Sequence, residues 1–165
     1  KAPQVFKNAV NKTARQARKR IAQSAKGAYT VKQVGFNSHM KIKNASTGNL
    51  TASVDADGKP LTLIRFKNRA GRPKKGGAAA AADIVNGGLK QLVSSQGGKA
   101  FKRNGLVMQR EGKDRLPVKV FHSNSVPKMV EKVYQGERGM AGALKEPIQS
   151  DLRKNLEAEI KKIVG

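Results

Sequence analysis

The sequence predicts an α+β fold, and three observations carry that prediction. Residues 3–28 repeat apolar or small side chains every three or four positions, the period of a helix. Residues 40–66 and 106–120 alternate at period two, as strands do, and after Ser125 the helical period returns. The expected architecture is a long N-terminal helix, an antiparallel β-sheet of about four to six strands with a long Gly/Ala-rich basic loop or hairpin, and C-terminal helices packed on the sheet. A chain of 165 residues is expected to form one domain over 1–165: a basic helix at 3–28, a sheet over 40–122 with a mobile insertion at 67–104, and helices over 125–164. Such a domain buries roughly 70% of its unfolded surface.

In the first helix Phe6, Val10, Ala14, Ala17, Ile21, Ala25 and Ala28 fall on one face, and Pro3 suits the first turn. Lys12, Arg15, Arg18, Lys19 and Lys26 gather on the other side. That basic face is either solvated or turned towards nucleic acid or an acidic neighbour. Gly27 is a candidate terminator, and Tyr29–Val34 is expected to begin a short second helix capped by Thr30. Met40 and Ile42 then alternate with Lys41 and Lys43, and Leu50, Ala52 and Val54 with Thr51, Ser53 and Asp55. Two strands follow, joined by a turn at 44–49. Asp57-Gly58 marks the next hairpin, and Lys59–Phe66 reads as another strand.

Between Lys67 and Asn104 the composition changes. Six Lys or Arg lie between Arg65 and Lys75 with no acid, followed by Gly76-Gly77, alanines 78–82 and two further Gly pairs. Glycine loses more backbone entropy on ordering than other residues, so a long mobile excursion is expected here. Residues 78–85 and 89–93, flanking Asn86-Gly87-Gly88, are able to pair as a protruding hairpin; on propensity alone the alanine run also suits a helix.

Leu106–Arg110 and Leu116–Val120 flank the polar turn Glu111–Asp114. Leu116, Val118 and Val120 share one parity, which predicts a core hairpin with one buried face. Ser125 is the expected N-cap of the next helix, with Pro127 near its start and Met129, Val130, Val133 and Tyr134 as its apolar face. A closing helix from Pro147 aligns Ile148, Leu152, Leu156, Ile160 and Ile163, a face suited to packing.

Charge speaks of partners. Lys and Arg number 34 against 11 Asp and Glu, a formal net charge of +23. No acid precedes Asp55, while the residues after Val130 are almost neutral, so partner binding is expected to map to the first 130 residues. Cysteine is absent and His39 and His122 are isolated, so neither a metal site nor a thiol nucleophile is expected. No phosphate-loop string, nucleophile–base pair or cofactor loop is found, which argues against an enzyme and against any cofactor. No run approaches the roughly 18 apolar residues of a membrane span. Zinc-finger, zipper and ribonucleoprotein strings are missing too, and with five Phe and two Tyr any nucleic-acid contact would be to the backbone.

Two strings carry a resemblance. Val107-Met108-Gln109-Arg110, then Gly112-Lys113, Arg115-Leu116-Pro117 and Ser125-Val126-Pro127 before a final helix, preceded by Gly58-Lys59-Pro60-Leu61 running on to Phe66, resemble the phage minor tail protein Z or tail completion family. The Ala-rich region departs from the family's pattern. The resemblance, which spans roughly 5–163, implies a structural virion protein at the head-proximal end of a phage tail, taking part in head–tail joining and in holding the DNA end. It implies a homo-oligomeric ring, a hexamer, in contact with the tail tube or terminator protein and with head–tail connector proteins. It also implies that the chain is made in the host cytoplasm. The alternative is a nonspecific basic nucleic-acid-binding protein of nucleoid or RNA-binding type.

Three groups of residues are expected to make contacts. Arg65, Lys67, Arg69, Arg72, Lys74 and Lys75 form a flexible basic arm for the DNA end or an acidic neighbour. Arg110, Lys113 and Arg115 surround the hairpin turn and are expected to meet Glu157 and Glu159 of an adjacent subunit. Lys12, Arg15, Arg18, Lys19 and Lys26 provide a secondary basic face.

Overall fold

Helix α1 (Ala2–Ala28) opens the chain, and the fold it begins is α+β. The computed structural model describes residues 2–71, 77–95, 97–137 and 143–164. The chain divides into two units, one of 1–25, 35–58 and 126–165, the other of 26–34 and 59–125.

In the first unit Ala9, Ala17, Ile21, Ala22 and Ala25 of α1 are buried. Its first turns depart from the expected stripe: Phe6 is 42% exposed, whereas Val5, Ala9 and Thr13 are buried. The partner explains the rotation. Helix α3 (Lys145–Val164) runs alongside, and Asn155 Nδ2 donates to Thr13 Oγ1 (2.9 Å) and Gln16 Oε1 (2.7 Å). Arg20 pairs with Asp151 at 2.7 Å, and Asn8 Nδ2 donates to Glu159 Oε2 at 3.4 Å. As α3 ascends through 151, 155 and 159 its partners descend through 20, 16 and 8, so the helices are antiparallel and joined by a polar ladder. The expected packing face of α3 is corrected accordingly: Ile160 and Ile163 are 46% and 49% exposed.

Strands β1 (Met40–Lys43) and β2 (Ser53–Ala56) form the expected antiparallel hairpin, with Met40 opposite Ala56. The second strand starts later than expected, leaving Leu50 outside it and exposed. Helix α2 (Val126–Gln135) lies against β2 and a 3-10 turn at Phe36–His39, burying Val126, Met129 and Val133. A glycine closes its C-terminus. Gly136 (φ +74°) donates to the Val133 carbonyl and Glu137 to that of Lys132, the paired bonds of a Schellman stop.

Among the described residues the second unit holds two three-stranded antiparallel sheets. One has the order β3 (Lys67–Arg69), β4 (Ala81–Asp83), β5 (Lys90–Gln91); the other β6 (Phe101–Arg103), β7 (Leu106–Arg110), β8 (Val118–Val120). Two small sheets thus stand here, with the β1–β2 pair in the first unit, where one larger sheet was expected. The end of α1 is closed by Asn86, whose N–H and side chain donate to the carbonyls of Ala28 (3.0 Å) and Gly27 (2.9 Å). Gly27 itself stays helical.

No helix follows Thr30. Its N–H donates to the Ile84 carbonyl (3.1 Å), its hydroxyl donates to the Asp83 carbonyl and accepts from the Lys67 N–H (3.2 Å), and Lys32 N–H donates to the Arg65 carbonyl (2.7 Å). Long-range partners have taken the groups that a helix would need. The strand expected over 59–66 is likewise cut short. Leu61 and Leu63 pair with Ser123 and Phe121, and the chain then tightens into a 3-10 turn at Leu63–Arg65. Asn68 Nδ2 holds that turn through the carbonyls of Ile64 (3.2 Å) and Phe66 (2.7 Å).

The Ala-rich segment is the largest correction. Ala79, Ala80, Ala81 and Ala82 are buried, and β4 is the middle strand of its sheet rather than one arm of a protruding hairpin. Its pairing with β5 is as expected, Ala81 opposite Gln91. Ala80 N–H donates to the Ala100 carbonyl (2.7 Å), Leu92 N–H to that of Ala80 (2.8 Å), and Ala100 N–H to that of Leu92 (2.9 Å). Small side chains let these backbones approach. At Gly71 a Cβ would lie 2.2 Å from Ala80 N and 2.6 Å from Ala100 O, so only glycine fits.

A candidate binding face on the β6–β7–β8 sheet

The hairpin at the heart of the sequence reading lies in this sheet. β7 occupies the expected Leu106–Arg110, and β8 covers the end of the expected second arm. The pairing sets the faces: Phe101 opposes Met108, Met108 opposes Val120, and Arg110 opposes Val118. Cross-strand partners share a face, so Phe101, Met108, Val118 and Val120 lie together on one side, and Val107 lies on the other with Lys102, Gln109 and Lys119. Val107 is 2% exposed, and the Leu63–Arg65 turn packs against its strand. That is the core side. The expected buried face is therefore corrected: Val118 and Val120 are half-buried, and Leu116, beyond the strand end, is 69% exposed.

The outer side forms a cleft of about 370 Å³. Its apolar wall is Phe101, Met108, Leu116 and Val118, and its charged wall is Arg103, Arg110 and Arg115; Lys102 borders it from the strand, with its side chain on the other face donating to Asn68 Oδ1 at 3.4 Å, and no acid is in the lining. Among the described residues none of Arg103, Arg110 and Arg115 is ion-paired. A second cleft of about 590 Å³ lies beyond the turn, lined by Ser94, Gly98, Arg110, Lys113 and Lys119 among others. Arg110 thus borders both clefts, and Lys113 and Arg115 divide between them.

Sequence reasoning missed Phe101, Lys102 and Arg103. The signal was Asn104-Gly105, whose positive φ values of 48° and 71° make the turn from β6 to β7. An Asn-Gly pair before an apolar run is the strongest short hairpin signal.

The basic arm is placed in part. Arg65 lies in the 3-10 turn and Lys67 and Arg69 on β3, where they oppose Asp83 and Ala81; all three are exposed. This half is an ordered, paired strand. Arg72, Lys74 and Lys75 lie outside the described residues. On α1, Lys12, Arg15, Lys19 and Lys26 are exposed, while half-buried Arg18 donates to the Met40 carbonyl at 3.5 Å.

The expected acidic partner is less available than its sequence suggested. Glu157 is exposed, but Glu159 is held by Lys162 at 2.5 Å and by Asn8. The Lys162 hydrogen bond, with Asn8 assisting, keeps the Glu159 carboxyl below the usual range. Lys43 likewise lowers Asp55 at 2.8 Å, and Lys128 lowers Glu131 at 2.9 Å. Lys41 pairs with Asp57 and Lys132 with Glu137.

Among the described residues no group of three His, Cys, Asp or Glu is placed to hold a metal, and no helix is long and apolar enough to cross a membrane. The chain matches no protein-family model, no curated protein and no solved structure.

Proposed function

We propose that the chain is a structural, non-enzymatic virion protein of the tail-completion type, acting in a homo-oligomeric ring at the head-proximal end of a phage tail. The identity of the particle rests on the resemblance of the Lys59–Phe66 and Gly105–Pro127 strings. The observation that carries an assembly role is the state of the charges. Asp55, Asp57, Glu131, Glu137, Asp151 and Glu159 each pair with a cation of their own chain, and Asp83 is buried. Against a net charge of +23, neutralisation must come from outside, which suits a component fixed between anionic neighbours. Imaging of the head–tail junction in particles that contain the chain tests the reading: density for it at the head-proximal tail end is expected, and its absence from the particle overturns the proposal.

The exposed cations Lys12, Arg15 and Lys19 on α1, a helix that has no acidic residue of its own, favour a second reading, nonspecific nucleic-acid binding. Its signature is a slope of log affinity against log salt near −7 for about eight phosphate contacts.

A further inference from the structure

We infer that the cleft on the outer side of the β6–β7–β8 sheet docks an acidic peptide segment of a different protein, seated by one or two apolar side chains. The inference rests on the assembly reading, because it names the chemistry of one neighbour at that site.

Three observations lead there. The first is the cleft's two-sided chemistry. Phe101, Met108, Leu116 and Val118 form an apolar wall beside the three arginines Arg103, Arg110 and Arg115, and Leu116 stands 69% exposed at its edge. An exposed leucine costs free energy in water unless something covers it. The second is the lack of internal compensation, since Arg103, Arg110 and Arg115 have no ion-pair partner among the described residues. Their mutual repulsion is relieved by an anionic occupant.

The third observation decides whose anion it is. With most carboxylates paired or buried within their own chain, Glu111, Asp114, Glu146 and Glu157 remain without an ion pair among the described residues, and Glu111 and Asp114 belong to the hairpin itself. A second copy would bring its own excess of cations to the same place. A distinct, acidic protein is the better complement.

The apolar wall also separates a peptide from a nucleic acid. Strand-binding surfaces stack bases on aromatic rings. Here Phe101 is the one ring, and Met108, Leu116 and Val118 are aliphatic, shaped for Leu, Ile or Phe side chains. Arginines at the rim suit carboxylates, which they bind in a bidentate fork.

The test is fluorescence anisotropy of the full chain with a short labelled peptide carrying one Leu and one Phe among Asp and Glu residues. Two controls have matched charge: the same peptide with Ala for Leu and Phe, and a single-stranded dT oligonucleotide. The parent peptide is expected to bind about tenfold tighter than the Ala peptide. Leu116→Ser is expected to remove that preference and leave the circular dichroism spectrum unchanged, because the side chain is exposed; Arg110→Glu with Arg115→Glu is expected to weaken the parent peptide about tenfold or more. Equal binding of the parent and Ala peptides overturns the inference, as does a preference that survives Leu116→Ser. Tighter binding of the oligonucleotide than of the peptide overturns it in favour of nucleic acid. Rings that do not show this preference retire the cleft alone, whereas the preference without rings retires the tail reading alone.

Discussion

The Asn11 side chain and the Ala45 backbone exchange two hydrogen bonds: Asn11 Nδ2 donates to the Ala45 carbonyl at 3.1 Å, and the Ala45 N–H donates to Asn11 Oδ1 at 2.7 Å. Both residues are buried. The amide fixes the loop after β1 to α1 as a neighbouring strand would. Asn11→Ala leaves two buried backbone groups without partners and is expected to cost about 1–3 kcal/mol in urea unfolding. Lys12→Gln, one residue on and exposed, is expected to stay within about 0.5 kcal/mol. Equal effects of the two would refute the clamp.

Gly71→Ala is expected to be among the most damaging single changes. Its Cβ would meet backbone atoms of Ala80 and Ala100 at 2.2 and 2.6 Å, and neither can swing aside as a side chain can. A loss of roughly 3 kcal/mol or more is expected, with faster amide exchange at Ala80 and Ala100. Wild-type exchange at both amides would count against the packing described.

Val107→Ala is expected to cost roughly 1–3 kcal/mol, whereas Leu116→Ala is expected to change stability by about 0.5 kcal/mol or less, although both belong to the same hairpin. Thermal melts of the two variants separate the buried side of the sheet from the open one.

How much of this was legible is clearest at the contrasts. α1, β1, β7 and α2 could be read because their side chains are large enough to carry a period and their termini have recognisable turn residues. The alanines 78–82 carry no such period, and their placement in a middle strand depends on Gly71, Leu92 and Ala100, which are distant in sequence or too small to announce themselves. In α3 the visible apolar face was outweighed by Asp151, Asn155 and Glu159, polar residues whose partners on α1 no local pattern reveals. For the candidate site, Arg110 and Arg115 were legible as charges around a turn. The apolar wall beside them became visible only when the register brought Phe101 opposite Met108.

Acid should weaken the chain through identifiable carboxylates. Asp55, Glu131 and Glu159 have pKa values lowered in the folded state by Lys43, Lys128 and Lys162 respectively. A lowered folded value means that the stabilisation is present above the unfolded carboxylate range, about pH 4, and is lost as pH falls through the folded values. Carboxyl-detected NMR titration is expected to give these three groups midpoints below ordinary Asp and Glu values. Lys162→Met is expected to raise the Glu159 midpoint; no change would show that the pair does not persist in solution.

Electron microscopy of the purified full chain tests most directly whether it works by assembling with copies of itself. Closed rings of the full chain are predicted. A chain that stays monomeric or dimeric and coats added DNA would contradict the assembly reading.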